Sequence, residues 1–125
     1  MVQPRSAPLR MLGLGGSVAT PKNGITAPVL VVTSFDELAQ RAAEAKGKIV
    51  LFDAPFSDYI VSRRIRTDGP SAAARAGALA CLIRSIASAS IRSPHTGMLV
   101  YDSTVAKIPA AALSVEDAMM LHRFQ

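Results

Sequence analysis

Pro28-Val-Leu-Val-Val-Thr-Ser-Phe-Asp-Glu37 carries the decisive reading, because it joins a β-branched run directly to a helix start. Pro28 to Thr33 suits a short strand. Ser34 stands three residues before Glu37, the spacing at which a serine hydroxyl accepts from the Glu37 amide and the glutamate reaches back, a capping box. A helix is expected from there. Phe35, Leu38, Ala39 and Ala42 share one face, and Gly47 supplies the left-handed residue that ends the helix after Lys46.

The same grammar continues in both directions. Lys48 to Ala54 (KIVLFDA) reads as a buried strand that Pro55 stops. Gly69-Pro70 opens a short alanine-rich helix with proline in its first turn and Gly77 as its terminator. Ala78 to Ile83 (ALACLI) is a third strand, and Ile108 to Leu113 a fourth, which Pro109 should confine to a sheet edge or a bulge. Ser114-Val-Glu-Asp117 then caps a last helix toward Phe124. Arg84 to Lys107 lacks periodicity and is expected to be mostly loop.

Strand-then-capped-helix junctions in alternation favour an α/β fold, with α+β as the alternative, over a sandwich of hairpins. The expected architecture is a small open sheet with flanking helices. Residues 1–27, rich in Pro, Gly and Ser, form an extended entry segment with one short strand around Leu9 to Leu14, and residues 28–125 form the domain. Gly13-Leu-Gly-Gly lacks the third glycine of a dinucleotide fingerprint and is read as a turn. No strand follows the last helix, so the chain is expected to be truncated at its C-terminus.

The 125 residues make one domain, and although 50% are hydrophobic, only six are aromatic, so its core is light. With 18% charged residues and no long polar tract, wholesale disorder is excluded. The net charge of +5 sits between Val61 and His95, where Arg63, Arg64, Arg66, Arg75, Arg84 and Arg92 face only Asp68. Such a window suits acidic partners. Nucleic acid is not among those expected, since Tyr59 and Tyr101 at its margins are the only stacking candidates and no known motif fits. A solvated arginine face and a patch gripping peptide carboxylates by two-pronged contacts stay open.

Catalysis has little to work with. A zinc site needs three ligands and an open position, whereas His95 and His122 belong to no metal-binding spacing. No Gly-x-Ser-x-Gly elbow occurs, and Cys81 lies in an apolar run as a small buried hydrophobe, with no second cysteine for a disulfide. The acidic pairs Asp36-Glu37 and Glu116-Asp117 are read as helix caps. The first ten residues lack the apolar stretch of a signal peptide, and no run is long enough to span a membrane.

Several segments in order carry a family resemblance: Gly24-Ile-Thr-Ala-Pro-Val-Leu-Val-Val-Thr-Ser-Phe-Asp-Glu-Leu38, Ala80-Cys-Leu-Ile-Arg-Ser-Ile-Ala-Ser88, Ser93-Pro-His-Thr-Gly97, Lys107-Ile-Pro-Ala110 and Val115-Glu-Asp-Ala118. Over nearly the whole chain these resemble the protease-associated domain of the carboxypeptidase Q family, secreted and lysosomal zinc peptidases of family M28. The resemblance implies a parent peptidase with zinc, a peptidase domain as intramolecular partner, a homodimer and short peptide substrates. None of the family's His-x-Asp, Glu-Glu or further metal ligands lies on this chain, so no catalytic or metal residue is carried over and no cofactor is expected in the chain itself. Asp53-Ala-Pro-Phe56 departs from the Asn-Gln-Pro-Tyr pattern of the family. Arg84, Arg92, His95 and Tyr101 are the candidate substrate or interface contacts. The competing reading is a free-standing binding module for peptide carboxylates or a protein partner.

Overall fold

The computed structural model describes residues 1–89 and 91–125. Its strands are β1 (Met11–Gly13), β2 (Val29–Val32), β3 (Ile49–Phe52), β4 (Ala80–Arg84) and β5 (Ala110–Leu113). They form one sheet in the order β1-β5-β4-β3-β2, with β2 to β5 parallel and β1 antiparallel on β5. The helices are α1 (Phe35–Gln40), α2 (Ala42–Ala45), α3 (Tyr59–Arg75) and α4 (Val115–Arg123). This is the mixed α/β sheet that the junctions predict.

Period-two alternation sorts the strand side chains onto two faces. Leu30, Val32, Val50, Phe52, Cys81 and Ile83 point to one face, where Leu38 of α1, Ala45 of α2 and Ile65 and Ala73 of α3 close the larger core. Val31, Leu51 and Leu113 point to the other and meet Ala118 and Leu121 of α4. A three-layer arrangement results, with the sheet buried from both sides.

The first capping box forms with one change of partner. Ser34 Oγ accepts from Glu37 N at 3.1 Å, but Glu37 Oε2 accepts from the amide and hydroxyl of Thr33, both at 2.7 Å, one residue earlier than the motif prescribes. Those bonds from Thr33, chiefly its amide, hold the Glu37 carboxyl below its ordinary pKa. The expected single helix to Lys46 is broken into α1 and α2 at Arg41, whose φ of −106° leaves the helical range. Arg41 instead pairs with Glu37 and Glu44 and donates to Val31 O at 3.1 Å, one of two side-chain contacts among the described residues that cover the outer edge of β2. Gln125 makes the other, accepting from Val31 N at 2.6 Å and donating to Val31 O at 3.2 Å.

Two expectations are corrected. The helix placed at Gly69–Gly77 begins ten residues earlier, at Tyr59, where Asp58 caps it by accepting from Ile60 N and Val61 N. Pro70 therefore lies inside α3, not in its first turn, and it is fully buried there. The C-terminal boundary holds, with Gly77 at φ 84° after the last turn. The second correction concerns β5, which sits between β1 and β4 and is not an edge. Pro109 precedes the paired residues, so its missing N–H costs the ladder nothing, while its carbonyl still accepts from Cys81 N at 2.9 Å. Met11–Gly13 of the entry segment supplies the edge instead.

Candidate functional site

Four parallel strands point their C-terminal ends the same way, and in open α/β sheets that end is where ligands and partners bind. Here the residue after each strand is polar: Thr33 after β2, Asp53 after β3, Ser85 after β4 and Ser114 after β5. Asp53 is the centre of the row. Its carboxylate is 5% exposed and accepts from Arg84 Nη1 at 3.1 Å, while its other oxygen lies 2.7 Å from His122 Nδ1. Parallel pairing in register (Phe52 beside Ile83) brings Asp53 and Arg84 together, and the last turn of α4 adds the imidazole. Arg84 Nε is buried with no acceptor among the described residues, so Asp53 carries much of the neutralisation of that guanidinium.

Ser85 ties the row to the long loop. Its amide and hydroxyl both donate to Leu113 O, and its Oγ accepts from His95 N at 2.7 Å. Arg92 adopts a left-handed φ of 48°, donates from its amide to Glu116 Oε1 and from Nη2 to Asp117 Oδ1, both at 3.0 Å. Asp117 also accepts from Arg10 N at 2.7 Å, and its own amide donates to Ser114 Oγ at 3.2 Å, so it joins the entry segment, the loop and α4. Desolvation pushes the Asp117 carboxyl upward, but the bonds from Arg10, Ser114 and Arg92 outweigh it and hold the group below its ordinary pKa. Asp117 thus does more than cap its helix.

Further along the loop, Arg66 is 9% exposed and lies against Gly97, donating from Nη1 to Thr96 O at 3.4 Å. A Cβ on Gly97 would stand 2.4 Å from Arg66 Cζ, which accounts for glycine there. Thr96 and Gly97 in turn hold the entry segment, through Thr96 Oγ1 to Gly13 O at 2.6 Å and Gly15 N to Gly97 O at 2.8 Å.

The four candidates from sequence therefore separate. Arg84, Arg92 and His95 gather around Ser85, Leu113 and α4, with His95 exposed. Tyr101 lies elsewhere: its hydroxyl donates to Ile108 O at 2.6 Å and accepts from Val18 N, and its ring borders a cavity of about 400 Å³ shared with Phe35, Arg64, Asp68, Arg75 and Asp102. Both Arg84 and Arg92 already face an internal carboxylate. Asp53 and His122 were not among the candidates, although an aspartate directly after a buried apolar run was a visible signal.

Zinc does not fit this arrangement. Asp53 and His122 offer two donors, but a guanidinium occupies the third direction, and among the described residues no group of three His, Cys, Asp or Glu converges. Cys81 is fully buried and its thiol is pushed up by desolvation, which silences it as a nucleophile.

No family model matches the chain. Over 98% of its length it is 55% identical to carboxypeptidase Q from Homo sapiens and 51% identical to that from Mus musculus, spanning 26% of the length of each. The chain thus covers about a quarter of the curated relatives it matches. A peptidase M28 precursor from Shewanella amazonensis superimposes with a TM-score of 0.92 at 35% identity, covering 98% of this chain and 29% of that one. A zinc aminopeptidase from Bacillus subtilis shares the fold at a TM-score of 0.67 and 24% identity. The chain corresponds to a peptidase-related domain found within carboxypeptidase Q-like proteins, and a protease-associated domain is consistent with its structure.

Proposed function

We propose that the chain is the protease-associated domain of a secreted or lysosomal carboxypeptidase Q-like zinc peptidase that hydrolyses dipeptides and other short peptides. The observation that carries this reading is similarity above half-identity along 98% of the chain to a quarter of carboxypeptidase Q. In this reading the metal centre belongs to the rest of the parent, as no metal-binding group converges among the described residues of this chain. The domain's part is positional. Arg84, Arg92 and His95, held at the C-terminal end of the sheet, help shape the substrate cleft or the dimer contact of the parent. Support for this comes from the rigidity of their frame: Asp53, Ser85 and Asp117 fix the two arginines and the His95 backbone to β3, β4 and α4.

A free-standing module gripping peptide carboxylates is the weaker reading, because Arg84 and Arg92 already carry internal carboxylates. The test is the parent itself. Expression of the gene extended past Gln125 should yield a zinc-containing enzyme that cleaves dipeptides, and His95→Ala or Arg92→Ala in it should raise KM or weaken dimerisation with zinc content unchanged. A parent without peptidase activity or bound zinc overturns the proposal.

A further inference from the structure

At the start of α3 the chain exposes a run of large apolar side chains. Phe56 is 40% exposed, Tyr59 55%, Ile60 71% and Val61 59%, all within six residues. Apolar surface gathered in this way often serves an interaction. It is also rigid: Asp58 caps α3 through Ile60 N and Val61 N, and the next turn is anchored by buried Ile65 and Arg66. The patch lies at the C-terminal end of the sheet, since Phe56 follows β3 within a few residues and shares a small cavity with Arg84 and Ser85.

We propose that Phe56, Tyr59, Ile60 and Val61 form the face on which this domain docks against the remaining portion of its own parent chain. The inference rests on the parent reading above and specifies its intramolecular interface. Three arguments select this occupant. Some three quarters of each matched relative lies outside the aligned segment, so a large intramolecular partner is at hand. The four side chains offer about 400 Å² together, judged from what such residues bury, whereas a stable complex between separate chains takes about 800 Å² per partner. A patch that small suffices when a covalent link supplies a high effective concentration. Tyr59 is of a type enriched at interface centres, and the Asp58 cap fixes the first turn that carries it.

The experiment is thiol labelling of the full-length parent carrying Ile60→Cys, with maleimide, in the native state and in urea. Cys81 is fully buried and stays silent natively. Native labelling at least about tenfold slower than in urea, unchanged on dilution to the monomer, is the expected result. Labelling within about twofold of the unfolded rate overturns the proposal, as does protection that vanishes on dilution, which would assign the cover to a second copy. Should Ile60→Cys fail to fold, Ser57→Cys on the same exposed run reads the same cover. Dipeptide hydrolysis by the same preparation reports on the parent's activity separately, so rapid labelling in an active peptidase refutes the docking face alone.

Discussion

Asp53→Ala tests the centre of the polar row. The aspartate is 5% exposed and its partner Arg84 13%, so deletion of the carboxylate strands a cation that water reaches poorly, with Nε already lacking an acceptor among the described residues. Breaking a buried pair from one side costs 3–5 kcal/mol in general, and the slight exposure of Arg84 argues for the lower end, about 3 kcal/mol. His122 adds little, since its ring is 45% exposed and such contacts contribute about 0.5 kcal/mol. With a urea slope of about 1.5 kcal/mol per molar, the unfolding midpoint should fall by about 2 M. Asp53→Ala combined with Arg84→Met removes both charges and should recover most of that loss, because a buried pair exchanged for apolar volume is close to neutral. Equilibrium urea unfolding followed by circular dichroism measures all three proteins. A single variant that loses less than about 1 kcal/mol, or a double variant as unstable as the single, would refute the argument that Asp53 acts by neutralising Arg84.

Further outcomes follow from the loop and the caps. Because the Asp117 carboxyl is held below its ordinary pKa, its contribution is complete above about pH 4 and fades as pH falls through the folded value, so Asp117→Asn should flatten the acid side of the stability profile and lower the neutral plateau. A profile that keeps its acid slope in that variant contradicts the assignment. Gly97→Ala forces Arg66 to move and should cost about 1–2 kcal/mol, but much less in an Arg66→Met background; equal costs in the two backgrounds would show that the steric clash is not the cause. Gln125→Ala leaves the Val31 amide without its acceptor and should cost about 1 kcal/mol by thermal unfolding, with no change in far-ultraviolet circular dichroism; an unaltered Tm would show that water replaces the side chain at no cost.

How far the sequence could be read depended on whether a signal was local. Both serine caps, the two glycine terminators and four apolar runs act within a few residues, and each is found where the pattern puts it. The start of α3 was missed because Tyr59 to Asp68 presents exposed Ile60 and Val61 beside four charged residues, with no apolar stripe at helical spacing. Pro70 then imitated a helix start, when burial against the sheet was what allowed a proline to lie within the helix. The site was harder still. Asp53, Arg84 and His122 are 31 and 69 positions apart, and only the parallel registry of β3 with β4 and the return of α4 bring them together. His95 was singled out for its imidazole, yet the contact it makes with Ser85 uses its backbone amide, which any residue but proline could supply.

The Gln125 amide has the same chemical outline as one peptide unit, a donor and an acceptor side by side, and it meets both polar groups of Val31 as a neighbouring strand would. One side chain thereby stands in for a rung of ladder, and Arg41 reaches the same carbonyl from the break between α1 and α2. Lateral polymerisation along that flank would have to expel both before a foreign strand could register. The pairing hazard of a valine-rich edge is thus contained by two unequal stoppers, since Gln125 covers the amide and the carbonyl of Val31 and Arg41 the carbonyl alone, and fibre growth should be governed chiefly by how often Gln125 swings away.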